Sequence, residues 1–378
     1  DVCSSDLALL RLLAKYTAEA HSGDIHELAR AMAVELTVEV PEKVIDRYPH
    51  LHQELVAVIE SVDAISSGLH EITLSFSGNL PGADLTRWLN LLLGNCSMLP
   101  GVTLTDLEIP DELLSGFAGP RYGIDGVRQR VSVPQRPLLA TALKPRGAPI
   151  SDLQKICRDF VEGGGDLIKD DHNLIDDSHE QFLERVVACV ESIRSSERGR
   201  RVLYLVNLMG PAEELDRRLE DALEAGADGG LVAPWVLGLD RTRKLIADHP
   251  GVYLGHPSMS GVYTRSGGGI APRLVHGTFA RLAGIDGSVF VNAGGRFSPT
   301  REEGRSVAQK LVEPLATLKS GWAVPAGGMS PERVPEMLAD YGSQVMILIG
   351  GAILADDRGV KGATESLREA IEQESTKG

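Results

Sequence analysis

After Pro134 the chain repeats one local pattern eight times: a short apolar run rich in strand-forming residues, then a stretch with helical spacing. The runs are Pro137–Pro145, Gly165–His172, Arg201–Met209, Gly229–Trp235, Val252–Ser258, Ser288–Gly295, Ala323–Gly328 and Gln344–Gly351. Candidate helices between them include Leu153–Glu162, Phe182–Ser195, Ala212–Ala225 and Arg301–Leu318. Parallel strands need crossover helices, and eight such units in series close on themselves. The predicted fold class is therefore α/β, with a C-terminal (β/α)8 barrel. A doubly wound open sheet is the structural alternative.

The region before Pro134 reads differently. Ile25–Ala33 has helical spacing, Gly68–Phe76 reads as a strand, Asp84–Leu93 as an amphipathic helix and Gly101–Pro110 as a strand. This predicts a smaller N-terminal α+β domain. At 378 residues the chain is too long for one growing core. The expected boundaries are 8–131 for the small domain and 132–378 for the barrel. Residues 1–7 (Asp1–Leu7) read either as a translated sequencing adapter or as an ordinary variable terminus, and are set aside. On the adapter reading, the small domain could lack its first strand.

The formal net charge of −15 argues against nucleic acid or an anionic membrane surface as partner. It leaves room for a small anionic substrate in a local basic pocket. Cys3, Cys96, Cys157 and Cys189 are far apart, so neither a disulfide framework nor a zinc knuckle is expected, and a cytoplasmic location is the natural one. No apolar run reaches the roughly 18 residues of a membrane span. No signal peptide is recognised.

A barrel puts its chemistry at the C-terminal ends of its strands. Lys144, Lys169, Asp171, His172, Asn207, His256, Asn292 and Arg296 all fall there. Strand alternation sends Lys169 and Asp171 to one face and Asp170 to the other. The string Lys169-Asp170-Asp171-His172 is either a plain ion pair beside a histidine or a metal site. Lys144-Pro145-Arg146 either grips an anion and exchanges protons with substrate, or is a solvated loop pair. The pairs Gly327-Gly328 and Gly350-Gly351 fall where this barrel cradles phosphate, or are only tight turns. Asn292-Ala293-Gly294-Gly295-Arg296 reads as a closing loop or a linker. His256 either binds substrate or is a satisfied core histidine. Trp235 and Trp322 read as packing.

These residues, taken in order, resemble the large subunit of RuBisCO and its non-carboxylating relatives from about Ala33 to the end. Gly164-Gly165-Asp166-Leu167-Ile168-Lys169-Asp170-Asp171 is similar to the family's metal motif, in which CO2 carbamylates the lysine. Leu143-Lys144-Pro145-Arg146-Gly147 resembles the segment of the strand-one catalytic lysine. Gly94-Asn95-Cys96 looks like the segment whose Asn95 reaches metal-bound substrate, and Glu35 like the N-terminal active-site glutamate. Ala326-Gly327-Gly328 and Gly350-Gly351 match the phosphate positions. The resemblance implies Mg2+ (or another divalent ion such as Mn2+) held by Lys169 as carbamate, Asp171 and His172, or by the first two with His172 acting as acid or base. It implies Lys144, Lys169, His172, Glu35 and Asn95 as catalytic. Arg146, His256, Arg296 and the four glycines would bind substrate and phosphate. It also implies a homodimer in which Glu35 and Asn95 face the partner's barrel.

The departures shape the expected activity. His172 stands where the family has a third acidic ligand, and Arg296 where carboxylases have the loop-six lysine. His256-Pro257 replaces a His-Arg pair, Val289 a histidine and Val40-Pro41 a Thr-Trp pair. CO2 fixation is therefore not expected. The retained groups imply enolate chemistry on a small phosphorylated sugar acid or ketose. Lys-Asp-Asp-His with Asn-x-Gly-Gly-Arg-Phe looks like the apionate-catabolism subgroup, which decarboxylates 3-oxo-isoapionate 4-phosphate or transfers and hydrolyses its carboxyl group. The alternatives are a methionine-salvage enolase or isomerase and a non-catalytic sugar-phosphate-binding dimer.

Overall fold

The computed structural model describes residues 9–19, 24–265, 267–295, 297 and 299–376. Two compact units are present, residues 1–118 with 259–275, and residues 119–258 with 276–378.

The first unit is built on a five-stranded sheet of order β10-β4-β1-β3-β2. The strands are β1 (Arg11–Glu19), β2 (Val58–Ser66), β3 (Leu69–Ser77), β4 (Thr103–Glu108) and the short β10 (Gly269–Ile270). Central β1 shows the period-two signature of a half-buried strand: Leu12, Ala14, Tyr16 and Ala18 are fully buried. Neither β1 nor β2 was picked out in the sequence reading. Helix Ile25–Glu35 starts where the Asp24 side chain accepts from the His26 N–H, and it buries Ala29, Met32 and Ala33. Helix Leu85–Leu92 starts in the same way at Asp84 and buries Trp88 and Leu92. Tyr16 satisfies its buried hydroxyl by donating to the Leu92 carbonyl at 2.8 Å.

The second unit is a closed barrel of eight parallel strands, in the order β11-β12-β13-β5-β6-β7-β8-β9. They are β5 (Leu138–Leu143), β6 (Leu167–Asp170), β7 (Leu203–Asn207), β8 (Gly229–Val232), β9 (Val252–Gly255), β11 (Gly287–Val291), β12 (Trp322–Ala326) and β13 (Met346–Ile349). All eight anticipated runs supply a strand, and closure removes the open-sheet alternative. Leu138, Ala140, Leu167, Leu203, Leu205, Leu231, Val252, Leu254, Val289, Val324, Met346 and Leu348 fill the interior. These alternate residues make a packed core and not a pore.

Two expected limits move. Residues 119–131 belong with the barrel, not with the small domain. Helix Gly123–Val131 places Ile124, Val127 and Val131 in the barrel core. Buried Asp286 ties its start down, accepting from the N–H groups of Tyr122 and Gly123 at 2.8 Å each. The helix predicted over Arg301–Leu318 stops at Val312. Glu313 is extended, as the residue before Pro314 must tend to be, because the proline ring crowds an α conformation there.

Candidate active site

Interior parity fixes which strand-end residues enter the barrel mouth. Counting in twos from core residues, Leu167 leads to Lys169 and Asp171, Ala140 to Ala142 and Lys144, Leu205 to Asn207 and Leu254 to His256. Register then sets their height. Ala142 pairs with Lys169 across β5 and β6, so Lys144 and Asp171 lie level two residues further on. Accordingly, Lys144 Nζ sits 2.8 Å from Asp171 Oδ2. A Cβ on Gly350, at the end of β13 on the other side of β5, would lie 3.4 Å from Lys144 Nζ. The bare backbone there gives the lysine its room.

The environment separates the roles of these groups. Lys169 is 2% exposed and donates to the Asp170 carbonyl at 3.1 Å. Burial, with Lys144 adding to it and Asp171 opposing, lowers its pKa to about 8. Burial works against the Asp171 carboxylate, but Lys144 and the Asn173 N–H outweigh it and hold its pKa below the ordinary value. His172 Nδ1 stands 3.4 Å from Asp171 Oδ1, and burial keeps its imidazole below the ordinary pKa. His256 stacks on His172 with ring centroids 4.1 Å apart. Burial first, then Lys169 and His172, push it down to about 2, and its Nδ1 lies 2.8 Å from Ser258 Oγ. Both imidazoles are therefore neutral near pH 7.

Asp170 turns away from the mouth, as its parity requires. It is fully buried and accepts from Arg185 Nη1, the Tyr204 hydroxyl and the Asn207 N–H, each at 2.9 Å. Asn207 Nδ2 in turn donates to the carbonyls of His172 (3.0 Å) and Leu174 (3.2 Å), steadying the loop after β6. The sequence reading missed Arg185. Its signal was there: a lone cation on the helix face that carries Phe182, Val186 and Cys189.

The other predicted residues are more dispersed. Arg146 forms an exposed pair with Asp177 at 3.3 Å. Gly327 and Gly328 adopt left-handed φ values of 102° and 65°. A residue not singled out, Arg333, donates to the carbonyls of Gly328 (2.8 Å) and Ala293 (2.9 Å), linking the loops after β12 and β11. Gly351 opens the short helix Gly351–Leu354. Arg296 lies outside the described residues, as do Cys3 and the adapter-like segment. In the first unit, Asn95 Nδ2 donates to Glu35 at 2.9 Å and to Glu39 at 3.3 Å, so two separately predicted site residues lie together and Glu39 joins them.

A divalent ion was expected here. Among the described residues, no group of three or more His, Cys, Asp or Glu side chains is placed to hold a metal. Asp171 and His172 alone provide two donors, beside two lysines that repel a cation. The donor set fits a hard cation only when Lys169 carries CO2 as a carbamate, which replaces an ammonium with anionic oxygen. Its lowered pKa favours the neutral amine that such a modification needs.

Comparison with known proteins fits this arrangement. The profile "Ribulose bisphosphate carboxylase large chain, catalytic domain" matches residues 123–377. The chain belongs to the RuBisCO large-chain family. Among curated relatives of this RuBisCO-like protein, a 5-methylthioribulose-1-phosphate isomerase of Rhodospirillum rubrum is 36% identical over 353 residues, covering 92% of this chain and 93% of the relative. A 2,3-diketo-5-methylthiopentyl-1-phosphate enolase of Bacillus cereus is 31% identical, covering 96% and 92%. A Rubisco-like protein crystal structure from Rhodopseudomonas palustris superposes with a TM-score of 0.86 at 31% identity, covering 96% and 98%. The departures from the acid motif led the sequence reading away from methionine-salvage enzymes. These relatives point back towards them.

Proposed function

We propose that this RuBisCO-like protein is an enzyme that enolises a small phosphorylated ketose, with a 5-methylthiopentulose phosphate as the preferred substrate class and isomerisation as the outcome. One observation carries the reading: Lys144, Lys169, Asp171, His172 and His256 converge on one barrel mouth, with Lys144 and Asp171 in contact. The names of the isomerase and enolase relatives support the substrate class.

Asp171, His172 and a carbamate on Lys169 would hold a divalent ion, which when bound supplies Lewis-acid stabilisation of an enolate oxygen. Lys144 carries the proton. Its ammonium can donate to substrate carbon and its amine can remove a proton beside the carbonyl. Neutral His256 offers a hydrogen bond without adding charge. The backbone at Gly327, Gly328, Gly350 and Gly351 takes the phosphate, and Arg146 adds positive charge beside it. Glu35 and Asn95 complete the site of a partner in a homodimer. Mixing inactive Glu35→Ala with inactive Lys144→Met protein should restore partial activity through hybrid dimers, and no recovery on mixing refutes the shared site.

Decarboxylation or transcarboxylation with hydrolysis of 3-oxo-isoapionate 4-phosphate uses the same enolate, with CO2 in place of the proton. It rests on motif resemblance alone and stands second. The test incubates the full chain with Mg2+, bicarbonate and each substrate in D2O. Deuterium entry into 5-methylthioribulose 1-phosphate with formation of an isomer supports the proposal. CO2 release from the keto acid without such exchange moves the assignment to the second reading, and no turnover of any substrate leaves only a binding protein.

A further inference from the structure

The barrel end opposite Lys144 holds a second concentration of charge. A cavity of about 340 Å³ opens there, and its charged lining is Arg136, Asp166, Glu197, Arg198, Arg201 and Arg368. Arg136 precedes β5, Asp166 precedes β6 and Arg198–Arg201 precedes β7, whereas the mouth residues follow their strands. A four-residue strand separates the two ends by roughly 13 Å.

Several of these groups are fixed in place before any ligand arrives. Arg136 donates both terminal nitrogens to Asp166, at 2.6 and 2.7 Å, and Asp166 also accepts from the Leu139 N–H at 2.9 Å. Arg368 is held by Glu372 at 2.5 Å and by the Gly164 carbonyl at 3.1 Å. The turn Arg198–Arg201 is rigid for another reason. A Cβ on Gly199 would fall 1.6 Å from the Ile193 carbonyl oxygen, so the turn packs where only glycine fits. Arg194 then clamps it, donating to the carbonyls of Gly199 (2.7 Å) and Val202 (2.6 Å).

The cations exceed their counter-charges. Four arginines line the cavity against two carboxylates, with Asp166 engaged by Arg136 and Arg368 answered by Glu372 from outside the lining, which leaves Arg198 and Arg201 facing Glu197. Arg198 reaches the Gly165 carbonyl at 3.5 Å, and among the described residues neither Arg198 nor Arg201 forms an ion pair. Burial lowers the Arg198 pKa, with Arg368 and Arg136 adding to the effect and Asp166 opposing it. A chain of net charge −15 would not gather such an excess through composition alone.

We infer that this floor cavity is a second anion site, which takes a small phosphate dianion through the guanidinium forks of Arg198 and Arg201. Planar guanidinium matches phosphate oxygens in pairs, and the volume suits a molecule of pentose-phosphate size. The site stands apart from the mouth and does not depend on the proposed reaction.

Calorimetric titration of the full chain at physiological salt tests it, with ribose 5-phosphate, inorganic phosphate and neutral ribose as probes. The inference expects a phosphate-dependent site that persists in Lys144→Met and weakens at least about tenfold in Arg198→Gln/Arg201→Gln, with ligand-free melting unchanged. Ribose 5-phosphate binding more tightly than phosphate would identify a sugar phosphate as the ligand, and equal affinity would identify the phosphate group alone. If the double variant melts early, Arg201→Gln alone is titrated, since among the described residues the Arg201 side chain makes no hydrogen bond. Wild-type affinity in the arginine variants, loss of all binding in Lys144→Met, or no binding by the wild type overturns the inference.

Discussion

Replacing Arg185 by Met tests the physical logic beneath the mouth. Asp170 is 0% exposed and, among the described residues, forms one ion pair, with Arg185 Nη1 at 2.9 Å, beside two neutral donors, the Tyr204 hydroxyl and the Asn207 N–H. Met fills similar space but leaves a buried carboxylate without its counter-charge. Breaking such a pair from one side costs about 3–5 kcal/mol. At roughly 2–4 °C per kcal/mol for large domains, the melting temperature should fall on the order of 10 °C. Removing only the Tyr204 hydroxyl, as Phe, should cost about 1–3 kcal/mol. Arg185 Nη2 also holds Asp176 at 2.8 Å, so the double variant Asp170→Asn/Arg185→Met removes the deeper of the two orphaned charges and should melt above Arg185→Met alone, though below wild type. Circular dichroism melts at neutral pH measure all three. If Arg185→Met melts within a couple of degrees of wild type, or the double variant melts lower still, Asp170 is not a desolvated anion held by Arg185.

Three further outcomes are expected. Lys144→Met should reduce turnover by about 10²–10⁴-fold, while taking the partner from the largely buried Asp171 carboxylate should cost about 1–3 kcal/mol of stability; steady-state kinetics beside a melt would show whether the two effects separate. Lys169, lowered to about 8, is the group that the proposed function would carbamylate. Only its neutral form reacts with CO2, so that form rises from roughly a tenth at pH 7 to half at pH 8; activation by bicarbonate should climb over this range, and ¹³C NMR with labelled bicarbonate should show a carbamate that Lys169→Ala lacks. Gly229 has φ 150°, and a Cβ there would lie 1.9 Å from the Val252 carbonyl oxygen. Gly229→Ala should therefore cost about 3 kcal/mol or more by forcing β8 from β9, and urea unfolding would reveal a shift too small for that argument.

How much of this was legible beforehand follows from what alternation can encode. Period-two spacing in Leu167-Ile168-Lys169-Asp170-Asp171 settles that Lys169 and Asp171 share a face and that Asp170 opposes them, and the structure keeps that split. The eight apolar runs likewise declare eight strands. The same period-two signal was present in β1, where Leu12, Ala14, Tyr16 and Ala18 alternate with Arg11, Lys15, Thr17 and Glu19, but it went unread. The identity of β1 as the central strand comes from pairing with β3 and β4 on either side. Spacing could not show where helix Gly123–Val131 belongs, because its buried stripe is compatible with either unit.

What the sequence determined by itself is the face on which each side chain stands, since backbone geometry imposes that residue by residue. Which side chains meet was decided only by strand register and barrel closure. Register levels Lys144 with Asp171, and closure seats Gly350 beside Lys144 although some 200 positions separate them. The same closure sets Arg185 behind Asp170 and gathers Arg136, Arg198, Arg201 and Arg368 at the floor. Those encounters depend on hydrogen bonds between distant segments, and no local pattern carries that information.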